Sequence, residues 1–390
     1  MEIRALRRIL LAMVGTGEVP GLEGLGTADW SALNALAAQH RLKPLLHFQH
    51  ANDARIPAAV RVDWHEAHQV AALQAMLTRH ELRECARLLE AAGITPIALK
   101  GAWLSAHAYP APALRPMRDI DLLVPQDQEL AAYSALKAAG YRDYGPAEMS
   151  LEQAVRLDKH LPPLIAPRGT VVELHHRLWE PDGRLDHASP MQQVPETAKT
   201  VRDEDGIAYL APQETLAHLI VHAVYSHRLD CGPLLLPDID YLLRAAPVDW
   251  PAFWLRATSE GWRSGARLVL ELVASYRPGT GIDFAADSGP PPPAELIAAA
   301  PDLVLQDLDT RRSAGLAAAA IKSGPARLFQ RLRGRRGAHG EADVTRSMEH
   351  EGGMIGWAGS RVWRSLSELA RADVRRQSRQ LAALSTWLDR

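Results

Sequence analysis

The chain has 390 residues, enough for two or three domains at roughly 150 residues each. It is 47% hydrophobic and 23% charged, and its formal net charge of -2 gives no global attraction to nucleic acid or acidic membrane. Cys85 and Cys231 cannot build a disulfide framework and form no CxxC pair, so a reducing cytoplasm is expected. No apolar run approaches the roughly 20 residues needed to span a bilayer.

The opening "MEIRALRRILLAMVG" places Ile3, Leu6, Leu10 and Met13 at helical spacing, which predicts an amphipathic helix rather than a secretory leader. Two further stretches, "WSALNALAAQHRLKPLLHFQHA" and "HQVAALQAMLTRHELRECARLLEAAG", carry the same period, and Gly93 is a natural stop. "ITPIALKG" reads as a short strand, with Pro96 placing it at an edge or making its first part irregular. A short helix, "AWLSAHAY", then leads to the proline-rich loop "PAPALRPM" and a second strand, "RDIDLLV".

Helical periodicity returns in "DQELAAYSALKAAGY", and "TVVELHHRLW" alternates as a strand with Val171, Glu173 and His175 on one face. "DEDGIAYLAP" is a short extended piece with a turn, followed by helices from "PQETLAHLIVHAVYSHRL" to Tyr276. "SGPPPPAE" is a stiff break, and the Ala- and Arg-rich remainder contains a linker near 333–343. The pattern predicts an α+β fold, a small mixed sheet flanked by mainly helical regions. Its units are residues 1–92, an α/β core over 93–210, a helical support region over 211–287 and an extension over 288–390.

Residues i and i+2 of a strand project to one side, so Asp119 and Asp121 share a face while Ile120 and Leu122 turn to the core. Close carboxylates repel unless cations neutralise them, and a pair of Mg²⁺ ions about 4 Å apart commonly does so in phosphoryl and nucleotidyl transfer. Glu173, mid-strand in an apolar run, is the expected third acid. A strand ending at Lys100-Gly101 and leading into a helix lets backbone N–H groups approach a phosphate. Lys100, Arg115 and Arg118 are available to neutralise a triphosphate.

The set "LKG…YP…LRPMRDIDLLV…VVELHHRL" resembles the polymerase-β-like nucleotidyltransferase superfamily, and more closely a bacterial branch described as uncharacterised nucleotidyltransferases. "HLIVHAVYSH…DIDYLL" is similar to that branch's helical region, and the likeness covers roughly residues 30 to 250. The resemblance implies transfer of a nucleoside monophosphate from an NTP, ATP foremost, onto an acceptor hydroxyl or phosphate with release of pyrophosphate. Asp119, Asp121 and Glu173 would be both catalytic residues and ligands of two Mg²⁺ ions, with Mn²⁺ as a substitute. Lys100, Gly101, Ala102, Arg115 and Arg118 would bind the nucleotide. Ala102 stands where the superfamily usually has a second glycine or a serine, so no hydroxyl is offered to a phosphate. A small molecule or peptide is the favoured acceptor, with a tRNA end and a protein side chain as open alternatives; no membrane partner is expected, and the near-neutral charge argues mildly against a large nucleic acid.

Blander roles compete at several positions. Asp119 and Asp121 can pair with Arg115 or Arg118 without metal, and Lys100 can be a solvated strand end. His175, His218 and His222 are substrate-side candidates, although a hydrogen-bonded core histidine is the commoner outcome for the latter two. Asp238 and Asp240 read first as helix caps, and Trp250, Trp254 and Trp262 as core. Two alternative functions follow: a non-catalytic nucleotide-binding module of the same fold, and a metal phosphohydrolase built on His218, His222 and Asp238.

Overall fold

The computed structural model describes residues 1–145, 150–179, 200–306 and 372–389. An N-terminal layer holds α1 (Ile3–Val14), α2 (Thr27–Gln39), α3 (Lys43–His50) and the long α4 (Ala58–Ala91). Helix α1 buries Leu6, Leu10, Leu11, Met13 and Val14, the apolar stripe of its sequence. Helix α4 begins after Pro57 and ends at Gly93, whose positive φ of 78° allows Ile94 N–H to close back on Leu89 O at 2.9 Å.

Seven strands form one mixed sheet: β1 (Ile97–Ala98), β2 (Asp119–Leu123), β3 (Arg142–Asp143), β4 (Leu164–Ile165), β5 (Val171–His175), β6 (Thr200–Arg202) and β7 (Ala208–Leu210). Their order is β3-β4-β5-β2-β1-β7-β6, so the chemistry-bearing strands β2 and β5 lie side by side at the centre. Those two run parallel; the one-turn α5 (Gly101–Trp103) precedes them, and α6 (Glu129–Ala138) lies between them in sequence, as a parallel pair requires a crossover. Strand β1 sits between β2 and β7 rather than at an edge. Pro96 is accommodated because pairing starts only at Ile97, so its missing N–H removes no ladder bond.

Helix α7 (Leu151–Leu157) precedes β4 and is opened by a capping box between Ser150 and Gln153. Helices α8 (Pro212–Val221), α9 (Leu235–Ala245), α10 (Trp250–Ser259), α11 (Arg263–Tyr276) and α12 (Ala294–Val304) follow the sheet, and α13 (Ala372–Leu388) closes the described chain. The architecture is α+β, with helices around one mixed sheet, as the sequence pattern predicts. One contiguous apolar core runs from Leu6 in α1 through Ile120, Leu122, Val172 and Leu174 of the sheet to Leu388. Trp254 and Trp262 are core side chains, and the indole N–H groups of Trp250 and Trp254 donate to Gly281 O and Asp283 O. The linker expected at 333–343 lies outside the described residues.

Candidate active site

Strands β2 and β5 pair in register, which sets Asp119 opposite Val171 and Asp121 opposite Glu173. Ile120, Leu122, Val172 and Leu174 are buried on the other side, so the alternation of each strand aims its acids toward one face. Asp121 Oδ1 lies 2.8 Å from His175 Nε2, and its Oδ2 lies 3.2 Å from Lys100 Nζ. His175 Nε2 is also 3.5 Å from Glu173 Oε2. A carboxylate only accepts, so His175 carries its proton on Nε2.

The electrostatics follow from that arrangement. Burial pushes the Asp119 carboxyl up, and the charges of Asp121 and Glu173 push it further. Burial pushes Asp121 the same way, but Lys100 and His175 outweigh it and hold Asp121 well below the usual carboxylate range. Glu173 is likewise destabilised by burial, then lowered on balance by the His175 hydrogen bond and by His160. His175 would be lowered by burial, yet its bonds to Asp121 and Glu173 raise it. The site is an acidic cluster neutralised from within by one lysine and one histidine.

Asp121, Glu173 and His175 each offer a ligand atom, all within 4.8 Å of one another, and form the one such group among the described residues. Asp119 adds a carboxylate on the same strand face, with no hydrogen-bond donor recorded among the described residues. Carboxylate oxygens are hard donors, so this set fits a hard divalent cation, for which Mg²⁺ or Mn²⁺ is suited.

Lys100 caps the turn after β1 with φ 46° and ψ −112°, a positive-φ conformation that non-glycine residues avoid. Its side chain reaches Asp121 Oδ2 at 3.2 Å. Gly101 starts the following turn, and a Cβ there would stand 2.8 Å from Arg115 Nη1 and 3.0 Å from the Met117 side chain. The glycine therefore makes room for Arg115, and Ala102 beside it is buried.

Arg115 crosses Gly101 to reach Asp238 on α9, with Nε–Oδ1 at 3.1 Å and Nη2–Oδ2 at 2.9 Å. Tyr109 O–H donates to the same Oδ1 at 2.7 Å. Asp238 is thus a buried ion-pair partner and not the helix cap expected from its proline: α9 begins earlier, at Leu235. Asp240 is no cap either, accepting from Arg277 at 2.6 Å and Arg244 at 2.8 Å. Arg118 is exposed and makes no hydrogen bond or ion pair among the described residues.

His218 and His222 are held neutral, well below the ordinary range, by burial and then by the Lys100 charge. His218 packs edge-on against Trp179, with ring centroids 5.0 Å apart. Asp238 is taken by Arg115, and His218, His222 and Asp238 form no ligand group, so the phosphohydrolase site expected as an alternative is not assembled. Arg168 approaches Glu81 at 3.9 Å.

Two residues near the acids escape the sequence patterns. His160 Nε2 lies 3.9 Å from Glu173 Oε2, placed there by a backbone bridge between His160 and His175. Its loop, "RLDKHLPP", has no periodicity to mark it. Arg41, at the end of α2, feels the charges of Arg118, Arg115 and Asp119. It lies far upstream of the acidic strand, and helical spacing alone gives it no distinction.

No curated protein and no solved structure matches the chain. A family model does, over residues 26–278, a stretch that takes in α2 to α11 with every strand of the sheet. The chain therefore belongs to the uncharacterised nucleotidyltransferase family.

Proposed function

We propose that the protein transfers a nucleoside monophosphate from an NTP, ATP foremost, to a hydroxyl or phosphate of a small-molecule or peptide acceptor. Asp119, Asp121 and Glu173 would hold two Mg²⁺ ions, with Mn²⁺ able to replace them. The observation that carries the reading is the register of β2 and β5, which puts Asp121 beside Glu173 with Asp119 on the same strand face. When bound, such ions neutralise charge on the α-phosphate and acidify the attacking hydroxyl.

The chain's own residues do the rest. Lys100 Nζ, 3.2 Å from Asp121, is a cation at the acids' edge and would neutralise phosphate oxygens there. His175 Nε2–H fixes the orientation of Asp121 and Glu173. Glu173 Oε2, kept ionised by His175 and His160, accepts the proton of the attacking hydroxyl. The acceptor oxygen bonds to the α-phosphorus as the bridging P–O bond breaks, and the electron pair leaves with pyrophosphate. Attack at the α-phosphorus separates this reaction from a kinase's attack at the γ-phosphorus.

The test is pyrophosphate release from each of the four NTPs with Mg²⁺ or Mn²⁺, with and without host-cell extract, beside an Asp119→Ala, Asp121→Ala double variant. Extract-dependent release that vanishes in the variant is expected. Nucleotide binding without release from any NTP would overturn transfer and leave a non-catalytic binding module of the same family, a role to which the missing hydroxyl at Ala102 is suited.

A further inference from the structure

Among the described residues, four helices end in the same backbone motif. In α4, α6 and α10 the two closing N–H groups bond back across the last turn, and the left-handed residue is Gly93, Gly140 or Gly261. Helix α2 closes the same way, with Arg41 N–H to Ala38 O at 3.0 Å and Leu42 N–H to Ala37 O at 2.8 Å. There the left-handed residue, at φ 56°, is Arg41. An arginine in glycine's position is disfavoured by its own Cβ, so the side chain must be wanted where this turn sends it.

It is sent to the loop before β2. Arg41 Nη1 donates to Pro116 O at 3.2 Å, and Arg115 Nη1 approaches the same carbonyl at 3.5 Å. Two guanidinium groups thus converge on one oxygen, two residues before the exposed Arg118 and three before Asp119. Arg115 has Asp238 as its counter-ion, whereas Arg41 has no carboxylate partner among the described residues, and its Nε is buried with no acceptor. The other charged or titratable groups acting here are Arg7, His40 and Asp119. Burial and the neighbouring arginines pull Arg41 down to about 10, as befits a cation cluster short of an anion.

We propose that Arg41 and Arg118 form the seat for the β- and γ-phosphates of the nucleoside triphosphate, the portion that leaves as pyrophosphate. The seat rests on the transferase reading and extends it. Arg41, just after α2, and Arg118, just before β2, add to Lys100 a grip on the triphosphate tail, which offsets the missing hydroxyl at Ala102. Planar guanidinium groups suit this task because their paired N–H donors match phosphate oxygens.

The test is calorimetric titration of the full chain with pyrophosphate, ATP and AMP in Mg²⁺, for wild type, Arg41→Gly and Arg118→Gln. Glycine suits the left-handed position, so Arg41→Gly should not lower the melting midpoint. It should weaken pyrophosphate and ATP binding by about ten- to a hundredfold, the scale of one lost charge-assisted contact, and leave AMP binding nearly unchanged. Arg118→Gln, on an exposed side chain, carries the same expectation in direction. Equal weakening of AMP and ATP, or no change in either variant while wild type binds ATP, would overturn the seat and spare the transferase reading. Wild type that binds neither ATP nor pyrophosphate would overturn both.

Discussion

His175 Nε2 lies between the carboxylates of Asp121 and Glu173, 2.8 Å from the first and 3.5 Å from the second, with the histidine 1% exposed. The three residues hold one another in place before any cation arrives, and the histidine decides which way the oxygens point. Groups that orient metal-ligating carboxylates are commonly worth about 10–100-fold in metal affinity or activity. His175→Ala should therefore weaken Mn²⁺ binding by about that factor, read by electron paramagnetic resonance of free Mn²⁺. His175→Gln, whose amide can still donate one hydrogen bond, should recover part of it. Unchanged Mn²⁺ affinity in His175→Ala would assign the ring to packing alone.

The acidic face was legible because it depends only on strand alternation: Asp121 and Glu173 interrupt apolar runs, and Asp119 stands two residues before Asp121, a spacing that the pleat converts into a shared side. What the alternation cannot give is which cation faces the acids. Lys100 reaches Asp121 through a strained backbone that no propensity favours, and His160 arrives through a single bridge from a loop. The pairing of Arg115 with Asp238 spans 123 residues, and local reading of "PDIDYLL" favoured a cap because α9's earlier start at Leu235 has no side-chain signal. Arg41 was hidden for a related reason: the expected residue at a left-handed helix end is glycine, so an arginine there reads as ordinary surface charge.

Acid sensitivity follows from buried neutral histidines. Burial, then Arg7, lowers His40 from 6.5 to about 4, and burial with Arg177 does the same to His176. His218 and His222 are depressed further by burial and Lys100. In each case the unfolded chain binds a proton at a pH where the folded chain does not. The stabilisation is complete above pH 6.5 and is lost as pH falls from there toward 4. Thermal midpoints measured across that window should decline with acid, and a His40→Gln, His176→Gln double variant should show a shallower decline. A midpoint independent of pH between 6.5 and 4 would contradict the burial argument for these rings.

The Arg115–Asp238 pair tests whether the arginine serves the fold, the nucleotide or both. Its Nε and Nη2 face Asp238 at 3.1 and 2.9 Å, and Tyr109 shares the same carboxylate. Removing one partner of a buried pair strands the other charge in a low-dielectric setting, at a cost of about 3–5 kcal/mol. Arg115→Met should therefore lower stability by about that amount in urea denaturation, because Asp238 is left with Tyr109 as a donor but no counter-ion. Replacing both, as Arg115→Met with Asp238→Leu, removes the stranded charge and should restore most of the loss, since apolar substitutes for buried pairs are often neutral. Pyrophosphate release by the restored double variant then separates the roles. Activity near wild type would make Arg115 a strut beneath Gly101, whereas a stable but inactive variant would place its remaining Nη1 against the nucleotide.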